Sequence, residues 1–133
     1  MATLRSIPLW QVFTRSALVA LDRGDLESAE KHYRSAVERA KAAYGVTNVE
    51  YAEALMNVAD FLTASEQYFE AESFYRKALN SYKQIFGHNS RPVSIIYKLL
   101  AALNRQRHNL AMADVLEKRS VDILRSVIID LAS

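Results

Sequence analysis

The chain has 133 residues, no cysteine and nearly balanced charge, with 17 basic residues, 15 acidic residues and a formal net charge of +2. This length suits one domain, because a chain of this size buries roughly two-thirds of the surface that it exposes when unfolded. The absence of cysteine excludes disulfides, thiolate metal sites and thiol nucleophiles, and it is compatible with a reducing compartment such as the cytoplasm, which is the expected location. The two signs of charge are interspersed, so no face is committed to a polyanion.

A short N-terminal extension, predicted over residues 1–8, precedes the first helix. The longest apolar run near it, residues 17–21, is far shorter than the ~20 residues that a membrane span needs, so we expect no membrane segment or secretion signal. No acidic residue precedes Asp22, although Arg5 and Arg15 do, and this composition leaves an organelle presequence as an alternative.

Most of the remaining sequence has apolar residues at helical spacing. Leu55, Val58, Ala59 and Leu62, for example, fall at i, i+3, i+4 and i+7, which is typical of one helix face. Only three glycines and two prolines interrupt the chain, so long helices are expected. We predict six helices, at about 9–22, 26–44, 48–64, 68–86, 92–106 and 110–131.

Turn residues separate these predicted helices. Gly24 can end the first helix, and Asp25 can cap the second through its carboxylate. Thr47 and Glu50 have the spacing of a capping box, in which each side chain accepts a hydrogen bond from a free backbone N–H group at a helix start. Pro92 fits the first turn of the fifth helix, where its missing N–H group would have no partner.

An internal repeat organises the sequence. Residues 29–37 recur as residues 71–79, which lie 42 residues later, and more weakly as residues 113–121 after another 42 residues. Each unit therefore contains two helices, and Glu117 replaces an aromatic residue in the third copy. We predict one domain over residues 9–133 that contains three units, at about 9–47, 48–89 and 90–131.

Small and aromatic residues mark the expected contacts between helices. Ala17, Ala59 and Ala101 are 42 residues apart and allow paired helices to approach closely, whereas a larger side chain would overpack the contact. Tyr33 and Tyr75 are expected to be the large side chains of the core. This pattern predicts an all-helical protein.

The middle unit resembles a tetratricopeptide repeat, with Leu55, Ala59, Ala71, Tyr75 and Ala78 at the characteristic positions. The 42-residue length and the loop over residues 86–93 are similar to those of the kinesin light chain repeats. The resemblance implies an all-α fold, an α-solenoid of three antiparallel helix pairs in a right-handed superhelix. It also implies a scaffold or adaptor that binds a protein or peptide, and no enzymatic activity or cofactor.

The first helix of each pair is expected to line the concave side of the stack and to bind a peptide or a helix there. The residues predicted to form this groove are Gln11, Thr14, Arg15, Leu18, Glu53, Met56, Asn57, Asp60, Ile95, Lys98, Leu99 and Ala102. Equivalent residues stack in rows that mix polar and apolar groups. The alternative is a solvated face on which Arg15 pairs with Glu53 or Asp60.

One variant of this groove in the family binds a C-terminal carboxylate through basic residues and asparagines. Only Asn57 matches that arrangement here. Leu18, Ile95 and Leu99 stand where amide or basic groups would be required, so we do not expect this type of recognition.

The last predicted helix is more apolar than the end of a repeat array usually is. The residues predicted to form an interface on it are Val121, Leu124, Val127, Ile128 and Leu131. They indicate a homodimer, or a structural subunit that docks in a larger complex. The alternative is that Ile7, Leu9 and Trp10, or the helix's own neighbours, cover them. Trp10 itself is expected to cap the first pair or to anchor a partner.

Other classes of function have little support in the sequence. The three histidines lie far apart and have no partner at metal-ligand spacing, so no metal site is expected. No nucleophile, general base or glycine-rich phosphate loop accompanies the acidic residues. RNA binding by helical repeats is a minor alternative, because Lys98, Arg105 and Arg107 form only a small basic cluster.

Overall fold

Six helices form where the apolar spacing and the turn residues predict them. The structure is a computed structural model that describes residues 7–133, and it contains no strand within that range. The helices are α1 (Leu9–Asp22), α2 (Leu26–Tyr44), α3 (Val49–Ala64), α4 (Tyr68–Phe86), α5 (Arg91–Gln106) and α6 (Leu110–Ala132). Each observed end lies within one residue of the predicted end.

The helices pack as antiparallel pairs, and the pairs stack. α1 packs on α2, α3 on α4 and α5 on α6, while α2 also contacts α3 and α4 contacts α5. The predicted fold class, an all-α solenoid of three helix pairs, is therefore confirmed. The extents of the N-terminal extension and of the three units stay predictions. Residues 1–6 of that extension, which include Arg5 of the presequence alternative, lie outside the described residues.

Small and aromatic side chains fill the contacts between helices. Ala17, Ala59 and Ala101 are buried, as the repeat predicts. The ring of Tyr33 on α2 lies 5.9 Å from the ring of Phe61 on α3, so this tyrosine fills the contact between successive pairs. A ring at this distance adds to the burial of apolar surface that stabilises the stack.

The third pair differs from the first two in its polar contacts. Glu117, the counterpart of those tyrosines, is exposed and forms an ion pair with Arg105. Deeper in the pair, the Ser94 hydroxyl donates to the carbonyl oxygen of Ser120 at 2.9 Å, and the Ser120 hydroxyl donates to the carbonyl oxygen of Ser94 at 2.8 Å. These reciprocal bonds satisfy the polar groups that the contact buries.

Two of the three predicted helix starts have the expected chemistry. The Asp25 carboxylate accepts a hydrogen bond from the backbone N–H group of Ser28 at 3.1 Å and caps α2. Pro92 lies in the first turn of α5.

The expectation that Thr47 caps α3 is wrong. Asn48 is the capping residue, because the helix begins at Val49 and the Asn48 side chain accepts from the N–H group of Glu50 at 2.8 Å. The Thr47 hydroxyl instead lies 2.8 Å from the side-chain oxygen of Gln84 on α4. Thr47 therefore joins the loop before α3 to α4.

Candidate functional site

A groove between α1 and α3 gathers six of the side chains that the sequence predicts to bind a partner. It has a volume of about 520 Å³. The eight residues that line it, named here the α1/α3 groove, are Trp10, Gln11, Thr14, Arg15, Glu53, Met56, Asn57 and Tyr82. The groove forms because equivalent positions on stacked first helices lie side by side.

Trp10 and Tyr82 are aromatic residues of the groove that were not among the predicted groove residues, although Trp10 was expected to cap the first pair or to anchor a partner. Trp10 is buried and packs in the core, and its Nε1 atom has no hydrogen-bond acceptor within residues 7–133. Tyr82 comes from α4, the second helix of its pair, whereas the predicted groove residues all lie on the first helix of each pair. Its position seven residues after Tyr75 was the signal that could have found it, because this spacing places both tyrosines on one helix face.

Arg15 and Glu53 place charges of opposite sign in the α1/α3 groove. Neither takes part in the ion pairs between described residues. Burial, and then the charge of Glu50, raise the pKa of the Glu53 carboxyl. The alternative in which Arg15 pairs with Glu53 or Asp60 is therefore not the arrangement found.

The remaining predicted groove residues lie beside the α1/α3 groove. Asp60 and Leu99 line a concavity of about 420 Å³ towards α5. Asp60 also lines a concavity of about 500 Å³ together with Asn57. Successive concavities share Asn57 and then Asp60, and the three together, from Trp10 to Leu99, are named the trough. Leu18 and Lys98, like Ile95 and Ala102, are simply exposed.

Asp60 is already held by the core. The Tyr75 hydroxyl donates a hydrogen bond to Asp60 Oδ1 at 2.5 Å. The tyrosine is buried on α4, whereas Asp60 is exposed on α3. The bond fixes the carboxylate at one position of the trough.

The small basic cluster near α5 has mostly internal partners. Arg105 pairs with Glu117, and Arg107 Nη1 lies 3.0 Å from Glu72 Oε2. Lys98 is exposed one turn or more away on α5. Two of the three cations therefore have an acidic partner within the chain.

The C-terminal helix exposes four of the five apolar residues predicted to form an interface. Val121, Leu124, Ile128 and Leu131 are exposed, whereas Val127 is half-buried against the core. Ile7 and Leu9 at the other end of the stack are themselves exposed, and α1 does not pack on α6. The alternative in which the N-terminal segment covers α6 is therefore not found.

Residues 7–133 also lack the features of two other classes of site. No helix there is long and apolar enough to cross a membrane. No group of three or more histidine, aspartate or glutamate side chains in this part of the chain could hold a metal ion.

Family models for the tetratricopeptide repeat match two segments of the sequence. One matches residues 50–126, which is more than half of the chain, and another matches residues 17–50. The chain belongs to the tetratricopeptide repeat family. Tetratricopeptide repeats generally mediate interactions between proteins, and the family is one of scaffolds rather than enzymes.

The fold is similar to that of a solved tetratricopeptide repeat protein. The crystal structure of BtubC (BKLC) from P. vanneervenii superimposes with a TM-score of 0.79 and 20% sequence identity. The match covers 93% of this chain and 50% of that chain, so this chain spans about half the length of its structural neighbour. This likeness is consistent with the kinesin-light-chain-like form of the repeat. No curated protein matches the sequence.

Proposed function

We propose that the chain is a protein interaction scaffold that binds a peptide segment of a partner protein in the α1/α3 groove. The observation that carries this proposal is the meeting of six predicted binding side chains in one concavity of about 520 Å³. The groove combines apolar surface with a few polar groups that converge on it. This composition is typical of binding sites rather than of ordinary solvated surface.

The side chains of the groove suit an extended peptide. The amides of Gln11 and Asn57 can each donate and accept hydrogen bonds, so they can pair with both polar groups of a peptide backbone. Met56 is half-buried and adds apolar contact that adapts to different side chains. A segment bound here would therefore be held mainly through its backbone, with a small apolar side chain against Met56.

Charge gives the peptide a direction. Arg15 and Glu53 lie on opposite walls of the groove, on α1 and α3, and neither has an ion-pair partner among the described residues. A peptide with an acidic residue near α1 and a basic residue near α3 would complement both charges. The reversed peptide would place like charges together, which disfavours it.

The length of the trough sets how far a bound segment can extend along the stack. The concavities that share Asn57 and Asp60 continue from the α1/α3 groove towards Leu99 on α5. A peptide that follows them would contact the first helix of all three pairs.

A cytoplasmic location and an adaptor role, in which two partners are joined, remain predictions from the sequence.

Selection from a displayed library of random peptides tests this proposal. Selected peptides should bind the full chain in calorimetry, and both Asn57→Ala and Met56→Ala should weaken that binding about tenfold, which corresponds to about 1.4 kcal/mol. The matched controls are Asn80→Ala on α4 and Met112→Ala on α6, which change the same residue types outside the groove. Equal weakening by the controls, or peptides whose affinity neither groove variant changes, would contradict the proposal.

A further inference from the structure

The exposed face of α6 corresponds to a face that is buried on both other second helices. Val121 is 42% exposed and Leu124 is 38% exposed. Their counterparts 42 residues earlier are Leu79 and Tyr82 on α4, and those 84 residues earlier are Val37 and Ala40 on α2. Val37, Ala40 and Leu79 are buried and Tyr82 is half-buried. The first helix of the following pair packs on α2 and on α4, and α6 has no such neighbour within residues 7–133.

The exposed face of α1 is the opposite half of the same contact. Val12 is 41% exposed and Val19 is 48% exposed. Their counterparts are Ala54 and Phe61 on α3, and Ile96 and Leu103 on α5, all four of which are buried. The ring of Phe61 lies against Tyr33 of the preceding pair, so this position faces the second helix before it. α1 therefore presents apolar side chains at the positions through which α3 and α5 pack on the helix before them.

Charged residues at the two ends also complement one another. Between the second and third pairs, Arg107 Nη1 lies 3.0 Å from Glu72 Oε2. The equivalent of Arg107 at the start of the stack is Arg23, and the equivalent of Glu72 at its end is Asp114. Both are exposed. A pair docked on α6 in the same geometry would thus bring a guanidinium to Asp114.

A contact between a cation and an aromatic ring shows the same equivalence between the inner contact and the two ends of the stack. Lys83 Nζ on α4 lies 5.5 Å from the ring centre of Tyr97 on α5. The equivalent positions are Arg125 on α6 and Phe13 on α1. Arginine over phenylalanine conserves the chemistry of this contact, because the ring face attracts a cation.

We propose that the two ends bind each other in different copies of the chain, with α1 of one copy docked on α6 of the next. The apolar faces, Arg23 with Asp114, and Arg125 with Phe13 would reproduce the contact that α5 makes with α4. The partner of the exposed α6 face is therefore a second copy of this chain. This surface is distinct from the α1/α3 groove, so the groove stays open in the assembly.

The geometry sets what such an assembly looks like. The contact joins unlike surfaces and continues the solenoid, so it does not close after two copies. One helix docks on one helix pair, so the interface belongs at the small end of the range for specific contacts. Assembly should therefore be reversible and should grow with protein concentration.

Sedimentation velocity of the purified full chain over a wide range of concentration tests the proposal. The mass of the wild-type protein should rise with concentration beyond that of two chains. Val12→Glu places a charge in the apolar face of α1, and Leu124→Glu places one in the apolar face of α6. Each variant alone should therefore keep the mass of a single chain. Val115→Glu is the matched control, since Val115 is exposed on α6 and its counterparts Ser73 and Lys31 are exposed too; this variant should assemble as the wild type does.

A mixture of the two variants distinguishes head-to-tail stacking from a symmetric contact. Val12→Glu keeps an intact α6 and Leu124→Glu keeps an intact α1, so an equal mixture should form a complex of two chains that grows no further. A wild-type mass that stays that of one chain overturns the proposal. So does a Val12→Glu protein that still assembles, because a symmetric contact between two α6 helices would not need α1.

The charges provide a second measurement. Arg105→Gln is the common background for this test, because it removes the guanidinium that lies 3.7 Å from Asp114. On that background Arg23→Asp should weaken assembly, and adding Asp114→Arg in the same chain should restore it, because each contact then contains the reversed pair. Failure of the double variant to recover any assembly would place the end of α1 elsewhere and overturn the proposed geometry.

Discussion

At the scale of single residues, Tyr75 joins the core to the trough. Its ring is buried and its hydroxyl donates to Asp60 Oδ1 at 2.5 Å. Burial, and then the hydrogen bond to Asp60, raise the pKa of the Tyr75 hydroxyl above its ordinary value of 10.0. The folded protein therefore binds this proton more tightly than the unfolded chain does. The stability that results is fully present below about pH 10 and is lost as the pH rises further.

Tyr75→Phe should lower the free energy of unfolding by about 1 kcal/mol at neutral pH, because it removes one hydrogen bond while leaving the ring in place. It should also reduce the loss of stability above about pH 10, since the group that titrates there is gone. Urea unfolding at neutral and at alkaline pH measures both effects. Tyr44→Phe, at an exposed tyrosine of α2, is the control and should change neither. An unchanged alkaline slope in Tyr75→Phe would contradict this account.

At the scale of helices, the three turns inside the pairs have the same backbone but different capping residues. Asp25, Gln67 and Asn109 precede α2, α4 and α6 with φ of −88°, −92° and −92° and ψ of 81°, 65° and 75°. The side chains of Asp25 and Asn109 accept a hydrogen bond from a backbone N–H group of the first turn. Gln67 makes no such bond. Its longer side chain is not among the residues that cap helices well.

Gln67→Asp should raise the free energy of unfolding by about 0.5–1 kcal/mol, because the carboxylate can accept from the N–H group of Glu70 as Asp25 does from that of Ser28. The reciprocal variant Asp25→Gln should lower stability by a similar amount. Thermal or urea unfolding of both variants makes the comparison. No effect of Gln67→Asp, together with destabilisation by Asp25→Gln, would show that the two turns are not equivalent and would contradict the prediction.

At the scale of the whole molecule, stability should vary along the stack. The pair of α3 and α4 packs on α2 and on α5, whereas α1 and α6 each contact a helix on one side only. In a stacked array each pair is stabilised by its neighbours, so the end helices open more easily than the middle. The third pair also has an exposed glutamate where the others have a buried tyrosine.

Amide hydrogen exchange should therefore be slowest in α3 and α4 and faster in α1 and α6. The measurement is made at low concentration, where end-to-end assembly would be absent, and repeated at high concentration. Protection that rises selectively in α1 and α6 on concentration would agree with docking of the ends. Uniform protection of all six helices at low concentration would show instead that the chain unfolds as one cooperative unit.

The sequence by itself determined the number of helices, their ends and their pairing. These features follow from local spacing, and the 42-residue recurrence repeats the evidence in each unit, so one weak copy with Glu117 did not obscure it. The burial of Ala59 and Tyr75 was predictable for the same reason, since small and aromatic residues at helical spacing nearly always pack inside.

Only the tertiary structure decided which residues meet across helices. It placed Tyr82 and Trp10 in the α1/α3 groove and left Leu18 and Lys98 outside it. It also showed that Asn48, and not Thr47, caps α3. The physical reason is that spacing along one helix fixes the face on which a residue lies. The distance to a residue of another helix depends on how the axes cross and how each pair is rotated on the last, and both are set by packing.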